Sequence, residues 1–351
     1  MAVKLDVLEA PMVGRVRHRS RPMNRRQFAF WTCSFCASGS TVKAQRASRS
    51  SKVGILINGR PGPVVDAFRR DFLKLGYVEG QSFTIEPRFA EGDLGRHPGL
   101  VAELVRIGVD VIMTLGGPAT RAAMDATSTI PIVFSIVTDP LALGLVASMD
   151  RPGGNATGLT SLDPEQAERQ VALIRSAFPK ITRLGILSDD TIPGADPSGL
   201  APIDRANAVA ARKLGVEPLV RKVAGGLSPD YAATLDAMKK DGAEALLVLE
   251  VPMPLRDGKL VADLATARHL PTVFPGGQSG TGGLITYGTT VTDTWPRMPS
   301  LVDKILKGAK PGELPVETVS RRELVVNLKT ARALGLAVPE EILKPADRLI
   351  E

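Results

Sequence analysis

Lys52-Val53-Gly54-Ile55-Leu56-Ile57-Asn58 is an apolar, largely branched run ending on a polar residue, and Pro63 then opens a helical pattern with Val65, Phe68, Phe72 and Leu75 on one face before Gly76 stops it. A strand apolar on both faces, followed by an amphipathic helix, is the opening of a parallel sheet covered above and below. The pattern repeats outward from this stretch. Phe83–Phe89 reads as a strand, Leu94–Ile107 as a helix, Val109–Thr114 as a buried strand, Gly116-Gly117-Pro118 as the turn into a helix through Ala126, and Ile132–Ile136 as the next strand. A second series follows Leu159-Thr160: helices predicted at 164–177, 202–214, 229–241 and 258–269, with strands at 183–188, 216–223, 245–249 and 271–274. A Pro/Gly/Asp loop lies between Asp189 and Pro202, and a glycine-rich stretch, Gly276 to Gly283, precedes a strand at 284–286 and a helix at 293–307. The tail adds a strand at 323–328 and a short helix from Thr330. The fold class is α/β: two Rossmann-like doubly wound lobes, joined by more than one crossover, with a ligand cleft between them. The expected boundaries are 50–160 with 276–314 for the first lobe, and 161–275 with 315–351 for the second.

Ahead of the first strand, Asn24-Arg25-Arg26-Gln27-Phe28 leads into an apolar run through Ala37 and then into Ser38-Gly39-Ser40-Thr41-Val42-Lys43-Ala44. A basic start, a short apolar segment and small residues before a cleavage point make an export signal peptide at 23–44, with 1–22 as an upstream extension. The run falls short of the ~20 residues a membrane span needs. The paired arginines favour the twin-arginine route to the periplasm. Both cysteines, Cys33 and Cys36, sit inside this run, so their C-x-x-C spacing reads as apolar filler, with a lipid anchor on Cys36 as the alternative. The formal net charge of +7 is also a property of this end: residues 1–44 hold eight basic and two acidic residues, leaving the remainder at +1. A chain so nearly neutral lacks the electrostatic footprint of a nucleic-acid binder.

Chemistry is sparse. His18 lies in the leader region, His97 in a polar Gly-Asp-rich stretch, and His269 at a helix end, where it reads as a C-terminal cap. No H-E-x-x-H or comparable metal cluster occurs, and Ser279 lacks the G-x-S-x-G elbow of a hydrolase nucleophile. Asn58-Gly59-Arg60-Pro61-Gly62-Pro63 places prolines where a dinucleotide loop needs glycines, and there is no G-x-x-x-x-G-K-[ST]. The expectation is therefore a non-enzymatic protein without cofactor or metal.

What remains is a set of residues at strand ends, where α/β sheets bind ligands. Asn58 and Arg60 follow the first strand. Gly116, Gly117, Ala119 and Thr120 begin a helix whose amides suit a carboxylate. Thr138, Asp139 and Glu250 follow later strands, and Tyr287 is an aromatic candidate near the rim, with Phe274 and Trp295. Asp139, ahead of Pro140, reads equally as a helix cap and as a ligand contact.

With these segments in place the chain resembles the bacterial ABC transporter substrate-binding protein family that includes tryptophan- and phenylalanine-type binders. The resemblance runs over nearly all of residues 23–351. It is carried by Leu75-Gly76-Tyr77-Val78-Glu79-Gly80, Arg88-Phe89-Ala90-Glu91-Gly92-Asp93, Thr129-Ile130-Pro131-Ile132, Asp139-Pro140, Arg151-Pro152-Gly153-Gly154-Asn155-Ala156-Thr157-Gly158 and Gly282-Gly283-Leu284-Ile285-Thr286-Tyr287-Gly288. It implies a type I periplasmic-binding fold whose lobes close on a small ligand and deliver it to an ABC permease in the inner membrane; the helix amides at Gly117 to Thr120, with Asp139 and Glu250, suit an amino acid or other small carboxylate. The alternative is an exported sensor acting on a receptor. Ser188-Asp189-Asp190, Glu250-Val251-Pro252-Met253-Pro254 and Pro275-Gly276-Gly277-Gln278 depart from the family pattern, all in the second lobe's share of the cleft.

Overall fold

The computed structural model describes residues 50–59, 63–160, 165–289, 294–319 and 321–351. The export leader, its upstream extension and Arg60 lie outside the described residues, as does the side chain of Trp295.

Thirteen strands form two sheets among the described residues. The first holds β1 (Ser51–Ile57), β2 (Phe83–Phe89), β3 (Val111–Leu115), β4 (Ile132–Val137), β5 (Ala156–Thr160) and β11 (Glu317–Thr318), in the spatial order β2-β1-β3-β4-β5-β11. The second holds β6 (Arg183–Asp189), β7 (Glu217–Val223), β8 (Ala245–Val248), β9 (Thr272–Pro275), β10 (Ile285–Thr289), β12 (Arg322–Asn327) and β13 (Arg348–Ile350), in the order β7-β6-β8-β9-β10-β12-β13. Pairing is parallel except between β10 and β12. Both sheets thus reverse direction at the same point, beside their first strand, and each carries the doubly wound order.

Helices α1 (Pro63–Lys74), α2 (His97–Arg106), α3 (Gly117–Ala126) and α9 (Met298–Leu306) serve the first sheet. The second is served by α4 (Gln166–Ala177), α5 (Pro202–Lys213), α6 (Tyr231–Lys240), α7 (Pro252–Arg256), α8 (Gly258–Ala267), α10 (Leu328–Ala333) and α11 (Glu340–Leu343). No described helix is long and apolar enough to cross a membrane.

Alternation along β1 and β3 explains the two-faced cover. Val53, Ile55, Ile57, Val111 and Met113 join the core beneath α1 and α9, while Leu56 and Ile112 join the opposite core beneath α2 and α3. Phe68, Phe72, Tyr77 and Phe83 form a ring cluster in the first of these, with Phe72 and Tyr77 centroids 4.0 Å apart. The Tyr77 hydroxyl donates to Asp303 Oδ1 at 2.9 Å, and burial pushes its pKa up to about 12. That bond fastens the late helix α9 to the first lobe, although 226 residues separate the partners.

Sheet membership moves the crossovers from where the sequence put them. Residues 276–289, expected with the first lobe, supply β10 to the second sheet; 315–319, expected with the second, supply β11 to the first. The chain therefore passes between the two sheets three times, after β5, after β10 and after β11.

His97 also differs from its sequence reading: it is buried at the start of α2, 2 % exposed, and its Nε2 has no hydrogen-bond partner. Burial pushes its pKa down to about 4, against a smaller upward pull from Asp93. The neutral ring is native, so the unfolded chain, titrating near 6.5, takes up the proton first. Stability present above that value is expected to fall by about 2–3 kcal/mol as pH drops toward 4. Chemical denaturation between pH 7 and 4 checks this: His97→Gln should flatten the slope, and an unchanged slope would dismiss the histidine as its source.

His269, expected to cap α8 through its side chain, instead ends it through its backbone, at a left-handed φ of 52°.

Candidate functional site

A cavity of about 310 Å³ lies between the lobes, at the carboxyl ends of both sheets. From the first lobe it is reached by Asn58 after β1, by Gly116, Gly117 and Pro118 after β3, and by Ile136, Thr138 and Asp139 at the end of β4. From the second come Ile192 and Ile203, and the segment from Glu250 to Met253 after β8. Asn58 and Gly116 flank the β1/β3 reversal and Glu250 the matching β6/β8 reversal, so the cavity sits where two topological switch points face one another.

The first lobe offers amides and an acid. Gly116 adopts φ 89°, which an L side chain resists, and α3 begins directly after it without a side-chain cap. Gly117 thus brings its N–H and the positive dipole end of α3 to the cavity wall, while Pro118 beside it has no N–H to offer. Asn58 stands beside this turn, with Nδ2 3.5 Å from where a Cβ on Gly116 would be and with Oδ1 buried without a hydrogen-bond partner. Asp139 lines the cavity and also caps a turn: its Oδ1 accepts from the Ala142 amide at 2.9 Å. The capping reading of Asp139 is met, at a turn rather than a helix, by a residue that stands at the cavity wall.

Three of the sequence-derived candidates stand elsewhere. Ala119 is fully buried in the core under α3. Thr120 is buried, its hydroxyl shared with Thr114 Oγ1 at 2.9 Å and the Gly116 carbonyl at 2.8 Å, and its amide bonds the Gly116 carbonyl at 3.1 Å. Tyr287 belongs to the second lobe's core, with its hydroxyl 3.5 Å from Arg169 Nη1. Asn58, Gly116, Gly117, Thr138, Asp139 and Glu250 are the candidates brought to the cavity.

Ile136 carries a signal that sequence patterns could not supply. It has φ 55° at a register shift in β4, and it lines the cavity. A β-branched residue in the left-handed region is strained, and a bulge re-aims the side chain it carries. Ile136→Gly is expected to relieve strain of about 1–3 kcal/mol, offsetting lost packing, so folding stability changes little. Ligand binding should weaken by about 1–2 kcal/mol through the missing apolar wall. Melting and titration of one sample decide this, and full affinity in a destabilised variant would contradict it.

The second lobe's lining is built on buried carboxylates. Asp189, fully buried at the end of β6, accepts from the Thr191 amide at 2.9 Å and, through Oδ2, from the Met253 amide at 2.8 Å. Burial pushes its pKa up, with Thr191 and Met253 opposing. Asp204, also fully buried, accepts from Ser188 Oγ at 2.5 Å and the Ala201 amide at 2.8 Å, and lies 3.1 Å from Lys222 Nζ. These bonds fix both ends of the 190–201 loop, and the cavity gains aliphatic lining from Ile192 and Ile203 of the second lobe and Leu143 of the first. Arg256 reaches the cavity from α7, an element that two prolines in five residues concealed from helical pattern reading.

Comparison with known proteins adds to this geometry. Residues 64–350 match the family described as ABC transporter substrate binding protein. The tyrosine-binding protein of Clostridioides difficile is 24 % identical over 283 residues, 78 % of either chain. Among solved structures, a conserved domain protein from Vibrio cholerae superposes with TM-score 0.77 at 24 % identity, covering 86 % of this chain and all of that one. The ABC domain in complex with L-Trp from Streptococcus pneumonia gives TM-score 0.75 at 24 % identity, with the same coverage. At this identity the structural likeness is one of fold, two α/β lobes around a cleft.

Proposed function

The chain belongs to the ABC transporter substrate-binding protein family, and from that premise we propose that it is an exported solute-binding protein that captures an amino acid or other small carboxylate by lobe closure and delivers it to an ABC permease. The carrying observation is that one cavity is lined by two charge types: the uncapped amino end of α3 at Gly117, and the acidic residues Asp139 and Glu250. The first suits a carboxylate, the second an ammonium group, and a zwitterion satisfies both. Aliphatic walls from both lobes leave room for an apolar side group. The names of its relatives, a tyrosine-binding protein and an L-Trp complex, favour the same ligand class. Binding followed by release needs no bond chemistry, so no residue is assigned a catalytic role.

The protein acts as a monomer in the periplasm, its leader removed near Gln45. Mass spectrometry of the periplasmic fraction should find an amino terminus there; a cytoplasmic protein retaining Trp31 would contradict export. Small-angle scattering with and without a confirmed ligand should show compaction, and an unchanged radius at saturation would contradict closure.

A further inference from the structure

Arg256 occupies an unusual position. It lines the cavity from the second lobe, yet its Nη1 donates at 3.2 Å to the carbonyl of Gly92 in the first. The same guanidinium donates to the Gly226 carbonyl at 2.8 Å and the Leu227 carbonyl at 3.5 Å, both in its own lobe. Its orientation is fixed from behind: Nε and Nη2 bond Asp257 Oδ1 and Oδ2 at 2.9 and 2.5 Å, and the buried Tyr231 hydroxyl donates to that Oδ2 at 2.9 Å. A planar fork of five donors can hold a bidentate carboxylate and still reach carbonyls on two lobes, which an ammonium cannot do.

The first lobe is shaped to meet it. Glu91 and Gly92 have φ 57° and 89°, a tight loop that turns the Gly92 carbonyl outward. A Cβ on Gly92 would stand 3.0 Å from Arg256 Nη1 and 3.2 Å from its Cδ. Two residues on, Leu94 lines the cavity and packs against the second lobe's core, which includes Met253.

We propose that Arg256 is the positioning residue that holds the lobes together over the cavity, clasping the Ala90–Leu94 loop through Gly92. The inference rests on the reading of a cleft that closes on its ligand, and it adds the residue on which closure depends. Because Arg256 lines the cavity while bonding across the two lobes, its contact to Gly92 must break when they separate, and the closed state is favoured by its differential contacts.

The test measures distance without ligand. The only cysteines of the chain are Cys33 and Cys36. In the full chain with both replaced by serine, Asp125→Cys and Val209→Cys place nitroxide labels on exposed faces of the first and second lobe. Pulsed electron–electron resonance should show Arg256→Gln shifting the distribution to longer distances, with the closed-to-open ratio falling about tenfold. Gly92→Ala should shift it the same way from the opposite lobe, and the double variant should add little to either, since both remove one contact. Arg256→Lys should restore only part of the closed population. Distributions for Arg256→Gln and Gly92→Ala that superpose on the parent would overturn the proposal. A failed ligand screen would instead remove the functional reading and leave this distance result standing.

Discussion

Asp139→Ala is expected to weaken ligand binding by about 2–5 kcal/mol, because truncation leaves a desolvated ammonium group without its partner. The same change removes the cap on the Ala142 amide, 2.9 Å from Oδ1, and should cost about 1 kcal/mol of folding stability. The two effects separate in one experiment: calorimetric titration of the variant, with its melting temperature measured alongside. Loss of affinity well beyond the stability change assigns Asp139 to the ligand. Normal affinity in a mildly destabilised protein would reduce Asp139 to a turn cap and leave the amino end of α3 and Glu250 to support the ligand class.

Gly158→Ala should destabilise the first lobe by about 3 kcal/mol or more, at the upper end of what overpacking causes. Gly158 lies in β5 opposite Phe134, and a Cβ there would stand 2.1 Å from the Phe134 carbonyl oxygen and 2.7 Å from its ring. Neither neighbour can yield: Phe134 is fully buried, and the carbonyl belongs to a strand paired on both sides. Relief requires β5 to move away from β4. Since the chain leaves the first lobe from β5, that movement should also disturb the crossover to the second. Urea unfolding measures the loss, and a variant within about 1 kcal/mol of the parent, the lower edge of overpacking costs, would show that the strand pair is looser than its geometry.

The fold was legible where burial and periodicity agree. Val53 to Ile57 and Leu184 to Leu187 are fully covered, and their apolar runs show it. β5 escaped because Ala-Thr-Gly-Leu-Thr is short and only partly apolar; its place depends on Gly158 fitting against Phe134, a tertiary fact. α7 escaped because prolines at 252 and 254 mask a helix whose first turn tolerates them, with Asp189 holding the Met253 amide from another strand. The lobe boundary moved at 276–289 because β10 could pair with either sheet on local pattern alone, and only its register with β9 and β12 decides.

Strand-end logic picked out Asn58, Gly116, Gly117, Thr138, Asp139 and Glu250, all of which line the cavity, since a doubly wound sheet fixes where its strands end. It misplaced Thr120 because a helix amino end offers only the amides its own turn leaves open, and Thr120 bonds back to Gly116. It missed Arg256 and Ile136. The role of one depends on a loop of the other lobe, and that of the other on a left-handed backbone angle inside a strand.

This cavity is expected to select a small carboxylate. Calorimetric titration with a panel of L-amino acids, their amides, simple carboxylic acids and neutral sugars tests it most directly. At least one amino or carboxylic acid should bind, and its amide should bind at least about tenfold more weakly, because the amino end of α3 favours a full negative charge. Tight binding of a neutral sugar with no response to any carboxylate would contradict the account.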